Sequence, residues 1–139
     1  MVRREMGSLT GFDFRVETLT RGFARLRLRY DETQLRPGGT IAGPVMFTLA
    51  DTALYAMVMS AVGWEPLAVT TDMHLHFLRR PSPADLIAEA DALTVGRRLV
   101  VGEVRLYSDG AERRLVAHAT GTYARPSSPP ADAGPQRER

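Results

Sequence analysis

Residues 43–63, GPVMFTLADTALYAMVMSAVG, decide the fold, because they form one long apolar run with helix signals at both ends and a polar stripe between them. Pro44 suits the first helical turn, where its missing N–H has no intrahelical bond to lose and its φ is already helical. Gly63 is a normal helix stop, so the spacing predicts a helix from about Pro44 to Val62. Residues 45–62 hold fourteen apolar residues and four polar ones. A membrane span needs about 20 apolar residues, and a carboxylate in the position of Asp51 costs roughly 2.5–3.5 kcal/mol on insertion. The expectation is therefore a buried helix, with no membrane as partner.

Outward from the helix the chain reads as strands. FARLRLRY at 23–30 alternates, with Ala24, Leu26, Leu28 and Tyr30 on one face and Arg25, Arg27 and Arg29 on the other. That is the period of a half-buried strand, and the arginine row is expected to face water. LRPGGTIAGP at 35–44 carries five glycines or prolines and reads as a loop. Residues 68–78 alternate again, with Val69, Thr71, Met73, Leu75 and Phe77 inward and Thr70, Asp72, His74 and His76 outward. Three more strands follow at 86–95, 99–107 and 115–123, joined by GRR at 96–98 and SDG at 108–110, both hairpin signals. Without alternating βαβ units the sheet is antiparallel and the class α+β. A helix that is apolar nearly all round must be enclosed, so the sheet is expected to curl around it.

Composition narrows the chemistry. The 139 residues suit one domain, with 44% hydrophobic and 24% charged residues. There is no cysteine, which excludes disulfides, thiolate metal sites and a Cys nucleophile. All 18 basic residues are arginine, which excludes a Schiff-base lysine. A net charge of +2 argues against nucleic acid as a partner. The arginines of MVRREMGSLTGFDF have no apolar stretch behind them, so no signal peptide is read and a cytoplasmic location is expected. Residues 1–10 are expected to be a flexible N-terminus, 11–125 the single domain, and 126–139, rich in Pro, Ser and Ala, a disordered tail.

On the helix, Thr48, Asp51, Thr52 and Tyr55 stand at i, i+3, i+4 and i+7 and share one stripe. Two readings of Asp51 stand. It is either a buried carboxylate satisfied by Thr48 and nearby backbone, or a catalytic carboxylate about two turns from a helix start whose free N–H groups stabilise an oxyanion. Asp72, His74 and His76 share a strand face and have metal-ligand chemistry, but no further ligand cluster accompanies them, so no metal is expected. His118 is read as a structural strand residue. No Gly-x-Ser-x-Gly elbow and no P-loop exist.

The run GGTIAGPVMFTLADTALYAMVMSAVG resembles the signature of the PaaI-like branch of hotdog-fold acyl-CoA thioesterases, a His-Gly-Gly turn followed by a helix bearing Leu-Ala-Asp-Thr-Ala, here intact at Leu49–Ala53. The similarity extends through VTTDMHLHFLRRP at 69–81, VGRRLVVGEVRLYSDG at 95–110 and LVAHATGTYARP at 115–126, covering roughly residues 35–126. The resemblance implies a hotdog, a curled antiparallel sheet of about five or six strands wrapped around one long central helix. It implies a homodimer or dimer-of-dimers tetramer with active sites at the subunit interface, an acyl-CoA substrate and no cofactor.

It also implies roles. Asp51 matches the catalytic acid, as general base or nucleophile; Gly43 matches the turn glycine whose N–H polarises the thioester carbonyl. Thr70 matches a Ser/Thr position that in some relatives helps to hold the attacking water from the partner subunit. Thr48, Thr52 and Tyr55 on the stripe are expected to contact substrate, as is Arg36, which departs from the Asn or His that relatives often have near the reacting water. Arg79, Arg80, Arg97 and Arg98 lie at strand ends, where guanidinium groups can grip the phosphates of coenzyme A. Ala42 and Pro44 depart from the family's His and second Gly, and Pro44 cannot donate. Those departures motivate an alternative, a non-catalytic acyl-CoA or acyl-carrier binding module. A hotdog hydratase ranks last, because no His lies on the helix or its preceding loop.

Overall fold

A computed structural model describes residues 14–30, 35–36, 40–41, 43–65, 67–110 and 113–126. In chain order the elements are β1 (Phe14–Thr20), β2 (Phe23–Leu28), β3 (Leu35–Arg36), β4 (Thr40–Ile41), α1 (Gly43–Val62), β5 (Val69–Phe77), β6 (Leu86–Val95), β7 (Leu99–Ser108) and β8 (Leu115–Ala124). Six strands form one antiparallel sheet in the order β1-β2-β6-β7-β8-β5, and β3 and β4 pair separately. The sheet is open, with β1 and β5 as its edges. Helix α1 lies against one face and touches all six strands.

The helix ends where the sequence says it must. Gly63 takes φ 89° and its N–H donates to Met59 O at 2.9 Å, an αL cap that a residue with a Cβ adopts only under strain. Along α1, Leu49, Ala50, Ala53, Leu54, Ala56, Met57 and Val58 are fully buried. The sheet makes room for them: Gly102 of β7 and Gly121 of β8 face each other in register, and both lie beneath Leu54. A Cβ on Gly121 would stand 2.5 Å from Leu54 Cδ2, so glycine at this crossing lets helix and sheet approach. Although α1 is long and apolar enough to cross a bilayer, its apolar side chains are spent on this core.

The far face of the sheet is ionic. Ala24, Leu26 and Leu28 of β2 are buried as the alternation requires, and the arginines between them meet acids rather than water alone. Arg25 donates to Glu17, Glu89 and Tyr107, while Arg27 bridges Glu17, Asp85 and Asp109. Burial alone would raise the Glu89 carboxyl, but hydrogen bonds from Tyr107 and Arg25 and the charge of Arg113 hold it below its ordinary value.

Strand β5 departs from its expected alternation. Thr70 pairs with Tyr123 and Asp72 with Thr122, which leaves Thr71 as the extra residue of a β-bulge. The bulge reverses the faces upstream of it, so Thr70 turns to the helix side instead of sharing the outward face of Asp72. Edge position limits burial as well: Met73 and Leu75 are half-buried, whereas Val69 and Phe77 are 57% and 55% exposed. β1, and the short pairing of Leu35–Arg36 with Thr40–Ile41 inside the expected loop, had no separate signal. Of the expected flexible ends, 1–10 and 126–139, all but residue 126 lie outside the described residues.

Candidate active site

Asp51 sits mid-helix, half-buried, at the point where α1 crosses the start of β5 and the end of β8. Its Oδ1 accepts a hydrogen bond from Thr70 Oγ1 at 2.9 Å and another from the Tyr123 hydroxyl at 3.1 Å. Oδ2 has no hydrogen-bond partner among the described residues. The two hydroxyls come from neighbouring strands, and the Thr71 bulge is what brings them to one face. Tyr123 is 4% exposed; burial, and then the negative charge of Asp51, push its phenol well above the ordinary value, so it remains a proton donor. Its ring packs against Tyr55 at 6.0 Å between centroids.

The expected stripe is divided. Thr48, Asp51 and Tyr55 are half-exposed, but Thr52 is buried and its hydroxyl donates to Thr48 O at 2.7 Å. Thr48 does not satisfy Asp51, because its own hydroxyl donates to Pro44 O at 2.9 Å. Both threonines bond back to the carbonyl four residues earlier in their own helix. The aspartate's partners come from the sheet, and the reading of a carboxylate satisfied from its own helix is thereby corrected.

Sequence reasoning missed Tyr123. A signal for it was present: Ala117, Ala119, Gly121 and Tyr123 share the helix-facing side of β8, and Tyr123 carries the only hydroxyl in that row. What the alternation could not give was its register opposite Thr70.

Gly43 is the first residue of α1, where backbone N–H groups have no intrahelical acceptor and the positive end of the helix dipole lies. Beside it opens an apolar cleft of about 510 Å³, lined by Gly43, Pro44, Phe47, Thr48 and Phe77. Phe47 and Phe77 are 45% and 55% exposed. Asp51 stands one turn beyond Thr48 and Phe47 on the same side of the helix, with Gly43 about 12 Å behind it along the axis.

The arginines fall into two groups at opposite ends of the sheet. Arg97 and Arg98 occupy the β6–β7 turn, where Arg125 N donates to Arg98 O and the Arg125 side chain binds Glu65 and Gly96 O. Arg79 and Arg80 follow β5 and line a polar cleft with Arg114. Arg36 pairs with Thr40 through its backbone, and its side chain lies outside the described residues, as does Ala42. His74 and His76 have ring centroids 5.1 Å apart on exposed β5, and His118 contacts Glu103 at 3.0 Å. Among the described residues, no group of three or more His, Asp or Glu has the arrangement of a metal site.

Residues 38–114 match the family model of the thioesterase superfamily. A Halobacterium salinarum protein that carries an esterase name is 35% identical over 127 residues, 84% of this chain and 83% of that one. The crystal structure of a Silicibacter sp. TM1040 protein described as a thioesterase is 41% identical, with a TM-score of 0.78 over 90% of this chain and 89% of that one. The Escherichia coli PaaI protein, from the phenylacetic acid degradation operon, is 22% identical over 88% of this chain and 89% of its own, and its TM-score of 0.75 shows a common fold. Family and relatives alike point to a hydrolase. The single helix laid across an antiparallel sheet is thus the hotdog, and the chain belongs to the thioesterase superfamily.

Proposed function

We propose that the chain hydrolyses an acyl-CoA, or a related acyl thioester, to free acid and thiol, with Asp51 as the catalytic carboxylate. One observation carries the reading: Oδ1 is anchored by two hydroxyl donors while Oδ2 has no hydrogen-bond partner among the described residues, one helical turn from an open apolar cleft. As a general base, Oδ2 takes a proton from water, the water oxygen adds to the carbonyl carbon, and the C–S bond breaks as the thiolate leaves and is protonated. As a nucleophile, Oδ2 adds to the carbonyl carbon, the C–S bond breaks as the thiolate leaves and is protonated, and water then hydrolyses the mixed anhydride to the free acid and the restored Asp51 carboxylate. In either route the Gly43 N–H donates to the oxygen that gains charge. Thr70 and Tyr123 are positioning residues that fix the carboxylate, and Thr48 and Tyr55 flank its approach. The chemistry needs no cofactor.

The spacing within α1 supports a site shared between two copies. Gly43 and Asp51 of one chain are about 12 Å apart along the helix, too far to meet one carbonyl group. A second copy at the free edge of β5 would supply the missing donor and cover exposed Val69 and Phe77. A homodimer, alone or doubled into a tetramer, is therefore part of the proposal, as are one domain over 11–125 and a cytoplasmic location.

Pro44, which has no N–H to offer, favours a second reading in which the fold binds an acyl thioester without cleaving it. Thiol release from short, medium, long and aryl acyl-CoAs separates the two. Turnover of any of them supports hydrolysis. Thermal stabilisation by one, with no thiol released from any, supports the binder.

A further inference from the structure

We infer that the far face of β5 carries half of a metal site, in which His74 and His76 of one chain and Asp72 of a second copy bind a divalent transition metal of the Zn²⁺ type. The inference rests on the proposed pairing of two copies at the β5 edge, and names a ligand that this pairing brings with it. His74 and His76 are exposed on the face of the sheet turned away from α1, with ring centroids 5.1 Å apart. Two imidazoles that share one tetrahedral metal, at a Zn–N distance of about 2.0–2.1 Å, have centroids about 5 Å apart. The pair is therefore already spaced for one ion. The side chains of Asp72, His74 and His76 have no hydrogen-bond partner among the described residues. His118 stands in register with His76, but its Nε2 lies 3.0 Å from Glu103 Oε1 and is engaged there. One chain thus offers two imidazoles, which is short of a site by itself.

Symmetry supplies the third ligand. Thr70, at the start of β5, holds Asp51, whereas Gly43 lies against Phe77 at the end of the strand, where an added Cβ would be 3.4 Å from Phe77 Cζ. For Gly43 of one copy to serve Asp51 of the other, Thr70 must run antiparallel to Phe77 of the second copy, with the two-fold axis midway. Residues directly opposite across an antiparallel pair share a face, so the axis falls on Met73 or on His74. On Met73 it sets Asp72 of the second copy opposite His74; on His74 it sets that carboxylate opposite His76. Either register brings a carboxylate to the histidine pair, with Cβ atoms about 4.5–5.5 Å apart. Two imidazoles and a carboxylate, completed by water, suit Zn²⁺ and its transition-metal neighbours. The axis repeats the site, so a dimer holds two ions, on the side of the sheet away from Asp51, and each ion ties one copy to the other.

Calorimetric titration of the chelator-treated protein with Zn²⁺, beside sedimentation with Zn²⁺ or with EDTA, tests the site. One Zn²⁺ should bind per chain, and the dimer should dissociate at about tenfold lower protein concentration when Zn²⁺ is present. His74→Gln and Asp72→Asn should each weaken binding about tenfold or more, while His118→Gln changes it little. Refolding His74→Gln together with Asp72→Asn should restore about a quarter of the strong sites, because half of randomly assorted dimers are mixed and each mixed dimer has one intact site of two. No binding, or binding that leaves the dissociation of the dimer unchanged, overturns the site. Weakening by His118→Gln equal to that by His74→Gln, or a mixture that restores no strong sites, overturns the sharing between copies. Kinetics separate this failure from that of the thioesterase reading. Thiol release by a dimer that binds no Zn²⁺ contradicts the metal site alone, whereas Zn²⁺ held between two copies that release no thiol from any acyl-CoA supports the site and contradicts the hydrolase.

Discussion

Two hydroxyls hold Asp51 Oδ1, and they hold it in different environments. Thr70 is exposed on an edge strand, while Tyr123 is buried against the helix. Each donates to a charged acceptor, an interaction worth about 1.5–3 kcal/mol. Thr70→Val and Tyr123→Phe should therefore each lower kcat about tenfold with little change in KM, which steady-state kinetics on one acyl-CoA would check. A large KM change with constant kcat would instead make them substrate contacts. The phenol also predicts a pH response. Its value in the fold is raised, first by burial and then by Asp51, above the ordinary 10.0. Below pH 10 both folded and unfolded chains carry that proton and stability is unaffected. Above it the unfolded chain loses the proton while the folded chain keeps it, so stability falls with rising pH. Denaturant titrations between pH 8 and 11 should show that slope in the wild type and a shallower one in Tyr123→Phe. Asp51 was legible as the one charge on an apolar helix. Its partners were not, because they come from two strands whose register depends on a bulge.

That bulge is the element on which the site turns. Thr71 is the extra residue between the Thr70–Tyr123 and Asp72–Thr122 pairs, and its hydroxyl donates to Thr122 O at 3.1 Å. Deleting Thr71 should restore plain alternation and turn Thr70 outward. We expect kcat to fall to the level of Thr70→Val while Tm changes little, since the change lies at the exposed start of an edge strand. Full activity in the deletion variant would show that Thr70 does not act through Asp51. The helix and the four strands after it were legible to within a residue or two of their ends, because apolar period, Pro44, Gly63 and two hairpin turns all mark them. The bulge was not. It adds one residue without a proline or glycine to announce it, and strict alternation through 69–77 fits the composition equally well.

At the scale of the molecule, the proposed active site shared between two copies rests on the free edge of β5 and on the roughly 12 Å between Gly43 and Asp51. Mixing tests it. Asp51→Asn and Gly43→Pro, each inactive alone, should regain about a quarter of wild-type activity when unfolded and refolded together, because half of randomly assorted dimers are mixed and each mixed dimer has one intact site of two. No recovery would return both roles to a single chain. Sequence made the hotdog legible through LADTA and its flanking strands, but the proposed interface and carrier are expected only from the resemblance, since one chain's pattern does not encode where a second copy sits. The proposed hydrolysis depends above all on the carboxylate of Asp51. The most direct test is the rate of thiol release by Asp51→Asn on an acyl-CoA that the wild type cleaves, at matched Tm. We predict a loss of about 10²- to 10⁴-fold. A rate within a few-fold of wild type would contradict the mechanism.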